Sequence, residues 1–312
     1  MEFKHKPIML DECIENLNIK EDGIYVDCTV GGAGHSKEIA KKLNNGILVC
    51  FDQDKEALEV AKKRLVEFDA KIYFINDNFA NIKEDLSQLE IEKVDGILMD
   101  IGMSSYQIDQ KERGFSYMQD APLDMRMNRD NSLTAFDVVN QYSEEDLTYI
   151  IEKYGDESWA KRISEFIVRQ RQERLIETTF DLVEVIEKAI PKKVRDSKKG
   201  HSAKKTFQAI RIEVNKELEV LEKGLNDAID CLSDEGRICV ITFHSLEDRI
   251  VKDIFKERAK GCICPPELPV CVCNHKPEVK ILNRKPIEPS QDELESNSRA
   301  RSAKLRVAEK IV

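Results

Sequence analysis

Short apolar runs alternate with helix-period stretches through the first hundred residues. Ile24 to Cys28 reads as a strand. Ser36 to Leu43, with Ile39, Ala40 and Leu43 on one face, reads as a helix, and Ile47 to Phe51 as a second strand. Helix Lys55 to Phe68, strand Lys71 to Ile75, helix Ala80 to Leu89 and strand Val94 to Asp100 continue the alternation. Strands separated by helices at this interval imply a parallel sheet, with ligands bound outside the strands' carboxyl ends. From Gln110 to Lys205 the strand pattern vanishes. Helical spacing predicts Glu144 to Tyr154, Trp159 to Arg171, and Phe180 to Ile190, the last capped by Thr178 or Thr179 and stopped by Pro191. The sheet pattern then resumes. One long helix, Thr206 to Leu232, carries Phe207, Ile210, Val214, Leu218, Leu221, Leu225, Ile229 and Leu232 on a single stripe. Strand Ile238 to Phe243, helix His244 to Arg258, a short strand Val279 to Leu282 and a final strand Ser302 to Ala308 follow. Lys285 to Ser298 reads as a mobile, polar stretch. The expected architecture is α/β, a seven-stranded sheet in two parts (1–109 and 206–312) around an all-helical insertion at 110–205.

The first strand runs through Asp27 into Gly31-Gly32-Ala33-Gly34-His35-Ser36, and the second ends in Asp52, twenty residues beyond Gly32. A carboxylate at that distance in a strand-turn-helix-strand unit can accept the hydroxyls of a ribose. The dinucleotide fingerprint Gly-x-Gly-x-x-Gly fails, because its third place, counted from Gly32 and Gly34, is Lys37. Lys37 therefore disfavours a dehydrogenase. Asp27 would repel a phosphate yet suits an ammonium or sulfonium. S-adenosylmethionine has ribose hydroxyls, both cations and no phosphate. The alternative is a structural glycine turn in an ordinary α/β domain.

Composition narrows the partners. Net charge is −10, from 49 basic and 59 acidic residues, which argues against a uniformly basic nucleic-acid surface but not against local patches. Between Pro191 and Lys216 the basic residues Lys192, Lys193, Arg195, Lys198, Lys199, Lys204, Lys205, Arg211 and Lys216 meet only Asp196 and Glu213. Near the end Arg299, Arg301, Lys304, Arg306 and Lys310 meet only Glu309. Each run suits a phosphate backbone or is a solvated charged face. No stretch has the length of a membrane span and no apolar signal core follows Met1, so a cytosolic protein is expected. Of nine cysteines, Cys13, Cys28, Cys50, Cys231 and Cys239 stand singly in apolar or helical context and read as buried thiols. Cys262, Cys264, Cys271 and Cys273 form two Cys-x-Cys pairs. Four thiolates so placed suit a structural zinc; a redox-sensitive disulfide hairpin and a metal-free loop are the alternatives.

Asp100, at the fourth strand's tip, is the first candidate for catalysis: a carboxylate there can accept an N–H from an amine nucleophile and take up developing positive charge. Binding the donor's adenine or amino group is an equal reading. His244, closing the fifth strand beside Ser245, is the second candidate, with helix capping by Ser245 as its alternative. Arg113 to Tyr117 and Ala121 to Met127 mix aromatic and basic residues, as a lid stacking an extruded base or as a loop packed on a domain boundary.

With these stretches in hand, the chain strongly resembles the bacterial 16S ribosomal RNA cytosine-N4 methyltransferase family. The matching segments are His5 to Leu10, Asp27 to Ser36, Asp95 to Asp109, Arg113 to Met127, Thr206 to Leu218, Ile241 to Lys252 and Arg301 to Glu309. The resemblance implies a Rossmann-like class I methyltransferase sheet with a helical insert. It also implies transfer of a methyl group from S-adenosylmethionine to the exocyclic amine of a cytosine in the decoding centre of the small ribosomal subunit. By motif match, donor binding falls on Ala33, Gly34, His35, Asp52, Phe79, Asp100 and Gln107. Ala33 stands where the family usually has Gly, Tyr106 replaces a frequent Pro, and the Cys262 to Cys273 segment resembles an addition found in only some members. Other methyl acceptors, and a non-catalytic RNA-binding assembly factor, stay open, as does the oligomeric state, a dimer included.

Overall fold

The computed structural model describes residues 7–311 except 198, 199, 263, 265–269, 271 and 274, and the side chains at 105 and 106 are left aside. Cys271, Lys198, Lys199 and the start of the His5 to Leu10 segment thus lie outside the described residues. The chain divides into two compact units: Met1–Gly102 with Leu218–Val312, and Met103–Glu217 between them. The second unit reaches further in both directions than the span 110–205 expected from periodicity.

The first unit runs α1 (Leu10–Asn16), β1 (Ile24–Asp27), α2 (Gly34–Ala40), β2 (Ile47–Phe51), α3 (Lys55–Leu65), β3 (Lys71–Ile75), α4 (Ile82–Gln88) and β4 (Val94–Asp100). The intervening unit holds α5 (Ser105–Asp109), α6 (Ala135–Gln141), α7 (Glu144–Gly155), α8 (Ala160–Glu173), α9 (Thr179–Ala189), α10 (Lys192–Ser197) and α11 (Lys204–Asn215). Then come α12 (Glu217–Cys231), β5 (Leu232–Thr242), α13 (Ser245–Arg258), β6 (Val279–Ile281), α14 (Gln291–Ser296) and β7 (Lys304–Lys310). The seven strands form one sheet in the order β3-β2-β1-β4-β5-β7-β6. Pairings from β3 to β5 are parallel; β7 is antiparallel to both β5 and β6. The order reverses between β1 and β4, so their carboxyl ends open the crevice where doubly wound sheets bind ligands.

Strand side chains alternate between two buried layers. Val26, Val49, Ile97, Met99, Ile238 and Val240 pack on one face with residues of α4, α12 and α13, such as Leu86, Leu225 and Phe255. Tyr25, Leu48, Cys50, Leu98, Cys239 and Ile241 face the other way, onto Cys13 of α1, Ile39 of α2 and Leu58 of α3. Both faces are covered, which is why these strands read as nearly continuous apolar runs. The singly placed cysteines 13, 28, 50, 231 and 239 are free and buried, as their apolar context implied.

Three expectations need correction. The long helix is two: Lys216 adopts φ 50, closing α11 before α12 begins. The apolar spacing runs on through the break in the sequence, but Phe207, Ile210 and Val214 belong to the core of the helical unit and Leu221, Leu225 and Ile229 to that of the sheet unit. Lys285 to Ser298 contains α14, capped by Ser290 and anchored by Glu293, which is buried and accepts the Met9 N–H at 2.9 Å. The segment Arg113 to Met127 is no lid in its own unit: Phe115, Leu123, Met125 and Met127 are core residues of the helical unit. Thr178 does cap α9, in a capping box with Asp181, and Thr134 with Asp137 makes the same box on α6. Among the described residues, no helix is long and apolar enough to cross a membrane.

Arg113 is the largest fully buried side chain, and its Nη2 donates to the carbonyls of Arg126 and Met127, both at 2.9 Å. Arg113→Met leaves those carbonyls unpaired in the helical core, and a loss of about 3 kcal/mol is expected, since bonds to charged groups contribute ~1.5–3 kcal/mol each. Urea unfolding followed by far-UV circular dichroism measures it; a change below ~1 kcal/mol would show that the guanidinium is dispensable.

Candidate active site

Three aspartates stand at the carboxyl ends of the neighbouring strands β2, β1 and β4. Asp27 closes β1 and is 1% exposed. Its Oδ2 accepts the Ser36 hydroxyl at 2.6 Å and its Oδ1 the Thr29 N–H at 3.1 Å. Burial pushes its pKa up to about 6, against the lowering effect of those two donors. Asp27 is thus enclosed within the protein and held by its own two donors.

Asp52 follows β2 and is partly exposed. Its Oδ2 accepts Gly31 N–H and its Oδ1 Asp54 N–H, both at 2.9 Å. The carboxylate thus pins the glycine turn to the start of α3 while each oxygen keeps a second lone pair for a hydroxyl. Burial raises its pKa to about 7, with the charges of Asp54 and Asp27 adding to the rise and the two backbone donors opposing it.

Asp100 ends β4. Its backbone N–H donates to Thr29 Oγ1 at 2.9 Å, which ties the tip of β4 to the turn after β1. Its Oδ1 is buried without a partner, and its Oδ2 lies 3.9 Å from His35 Nδ1. Burial, then the charges of Asp27 and Glu247, push its pKa up to about 8. His35 is buried, and its Nε2 lies 3.0 Å from Ile8 O. A carbonyl only accepts, so Nε2 carries the proton and Nδ1 faces Asp100 as an acceptor. Burial depresses the His35 pKa to about 4, which leaves the ring neutral.

The turn itself differs from its expected use. Gly31 has φ 46 and Ala33 φ 59, so the left-handed positions are one glycine and one alanine. At Gly34 a Cβ would come 2.2 Å from Pro7 Cγ. Gly34 is small because the chain at Pro7–Ile8 lies on it, leaving its backbone as the part that can meet a ligand. Arg64 Nη1 donates to Gly32 O at 2.6 Å and holds the far side of the turn. Phe79 follows β3 and is nearly buried; a Cβ on Gly224 of α12 would meet its ring at 2.5 Å, so the ring belongs to the core. Gln107 belongs to the helical unit, where it is buried and its Oε1 accepts Ser104 N–H at 3.1 Å.

His244, and not Ser245, caps α13. Its Nδ1 accepts Glu247 N–H at 3.4 Å, while Glu247 Oε2 accepts the N–H groups of Phe243 (2.7 Å) and His244 (3.1 Å). The remaining nitrogen, Nε2, stands 2.9 Å from Glu247 Oε1. Close as they are, Nε2 and Glu247 Oε1 are both buried without a hydrogen-bond partner among the described residues. Glu247 was missed by sequence reasoning, although its place three residues after the cap is the capping-box spacing. Ser36, Thr29 and Arg64 were missed as well, and none has a spacing that marks it.

Basic residues in the two runs are partly neutralised. Within the helical unit, Arg195 pairs with Glu187, Lys205 with Asp156, Arg211 with Glu217 and Lys216 with Glu213. Among the described residues of that run, Lys192, Lys193 and Lys204 have no acidic partner. In the last strand Arg306 is buried on Asp248 at 2.6 Å, Lys304 reaches the same carboxylate, and Lys310 pairs with Glu278. This second run is mainly structural. Cys262, Cys264 and Cys273 bring their sulfurs within 4.8 Å of one another, and Cys271 lies outside the described residues.

Such an acid-rimmed crevice fits a cationic nucleoside: Asp52 offers lone pairs for ribose hydroxyls, and the orphaned Asp100 Oδ1 needs a donor. The MraW methylase family model matches residues 2–311. Ribosomal RNA small subunit methyltransferase H of Finegoldia magna is 73% identical over 100% of both chains. The protein of the same name from Clostridioides difficile is 60% identical, again over 100% of each.

An aspartate whose folded-state pKa is raised keeps its proton in the native protein after the unfolded chain, with a pKa of about 3.9, has lost it. The native state is therefore least burdened below about pH 4, and stability falls as pH rises through the pKa values of about 6, 7 and 8 at Asp27, Asp52 and Asp100. Asp100→Asn removes the largest of these. Scanning calorimetry of the ligand-free protein is expected to show the variant gaining Tm over the parent at pH 8 and little at pH 5. An equal difference at both pH values would contradict the charge assignment.

Proposed function

The chain belongs to the MraW methylase family, and from that premise we propose that it methylates the exocyclic N4 amine of a cytosine in the decoding centre of 16S ribosomal RNA. The family, and the relatives' shared name over the whole chain, support a methyltransferase acting on small-subunit ribosomal RNA. The methyl donor is S-adenosylmethionine, and the site of action is the cytoplasm, where the ribosomal subunit is the partner. The donor supplies a methyl group activated by sulfonium charge.

One observation carries the assignment of roles: the unpartnered Asp100 Oδ1 at the tip of β4. Asp52 takes the ribose hydroxyls on the lone pairs its two backbone donors leave free. The glycine turn from Gly31 to Gly34, with Ala33 inside it, offers backbone to the donor's amino-acid portion, while His35 holds the turn to Ile8 and stays uncharged. Phe79 shapes the site through its packing in the core beneath it. With a cation bound beside it, Asp100 loses the proton that burial and neighbouring acids otherwise keep on it. The resulting carboxylate accepts an N–H of the cytosine amine and localises the nitrogen lone pair. Asp100 would take the amine proton when a bound donor supplied its methyl group to the nitrogen and left as the neutral thioether. His244 acts through Glu247, fixing the loop after β5. Lys192, Lys193 and Lys204 supply phosphate contacts.

Two measurements test this reading. Mass spectrometry of 16S ribosomal RNA from cells lacking the protein is expected to show loss of a single N4-methylcytosine, restored by the wild-type gene but not by Asp100→Ala; unchanged cytosine methylation overturns the assignment. Asp52→Ala removes the ribose acceptor and the pin on Gly31, and is expected to weaken donor affinity by about 30-fold, near 2 kcal/mol. Calorimetric titration reads this out, and an unchanged Kd would remove Asp52 from the donor site.

A further inference from the structure

The arginines of α8 and of the residue after it divide into two kinds. Arg171 is spent inside the helical unit, where its Nη1 donates to Val139 O at 2.8 Å and its Nη2 to Tyr142 O at 2.6 Å. Arg174 pairs with Asp181 at 3.5 Å. Arg162 and Arg169 do neither. Both are exposed, and among the described residues their guanidinium groups meet rings and no carboxylate. The Arg162 guanidinium carbon lies 5.9 Å from the Trp159 ring centroid and 5.4 Å from that of Phe166, and the Arg169 carbon lies 4.3 Å from the Phe166 centroid. Both rings are half-buried against the core of the helical unit. Helical spacing sets Trp159, Arg162, Phe166 and Arg169 in a row along one side of α8.

A ring beneath a guanidinium holds the planar group by cation–π attraction and leaves its N–H donors unspent. Such a group suits the two-pronged grip of a phosphate. Seven residues apart, the two arginines stand about 10 Å from each other along the helix axis, so each can take its own phosphate. Charge favours the same partner: α8 carries Lys161, Arg162, Arg169 and Arg171 against Glu165 and Glu173, a positive helix in a chain of net charge −10. We propose, on the reading of this chain as a ribosomal RNA methyltransferase, that Arg162 and Arg169, held on Trp159 and Phe166, form a docking face for the phosphate backbone of the RNA. This face lies outside both basic runs of the sequence. It fixes the position of a strand and reads no bases.

The full chain is titrated with a transcript of the decoding-centre region of 16S ribosomal RNA, and binding is followed by filter retention at several salt concentrations. Arg162→Gln/Arg169→Gln keeps a planar amide near each ring but no charge. It is expected to weaken binding and to lower the slope of log Kd against log salt by about 1.4, from about 0.7 per lost phosphate contact on single-stranded RNA. Its affinity for S-adenosylmethionine and its Tm are expected to match the parent's. A second measurement needs no variant: Trp159 is the chain's one tryptophan, and RNA binding is expected to quench or shift its emission. An unaltered salt slope in the Gln variant, or an unmoved Trp159 emission while RNA binds, overturns the proposal and leaves cytosine methylation standing. A chain that binds no RNA overturns both.

Discussion

Burial of three carboxylates at adjoining strand tips is the constraint on which this molecule turns. The strand order β2-β1-β4 brings Asp52, Asp27 and Asp100 together. Each is handled differently. Asp27 is satisfied by a hydroxyl and an N–H, Asp52 by two backbone amides, and Asp100 is left with a bare oxygen. Burial raises all three pKa values, with neighbouring carboxylates adding to the rise at Asp52 and Asp100, so an anionic ligand is rejected and a cationic one is favoured by the relief it brings. Charge selects the ligand here, and the glycine turn only shapes the approach to it.

Much of the sheet is legible in the sequence because both of its faces are covered. Continuous apolar runs such as Leu48 to Phe51 and Ile97 to Met99 are what double burial demands, and helices between them imply parallel order. What stays hidden is local backbone. Lys216 in a left-handed conformation splits one expected helix in two, although the apolar spacing in the sequence runs on without a break. A glycine there would have marked the break. The single-turn scale of α10 and α14, six residues each, gives too few periods to detect.

At the site, the acids were legible because they end strands, whereas the reasons for the neighbouring residues were not. Gly34 owes its missing side chain to Pro7, which a Cβ there would meet. His244, a catalytic candidate by its place at the end of β5, also caps α13 through Nδ1, which accepts the Glu247 N–H. Phe79 presents a core ring supported by the absence of a side chain at Gly224. The first and the last of these depend on contacts between segments far apart in the chain, which no local pattern carries.

The account rests most heavily on the protons that the acid cluster holds when empty. Titration calorimetry of S-adenosylmethionine at pH 7, run in buffers of differing ionisation enthalpy, counts protons exchanged on binding. Release to the buffer is the predicted result, because the bound cation drives Asp52 and Asp100 to ionise. Binding with proton uptake, or no binding at all, would contradict it.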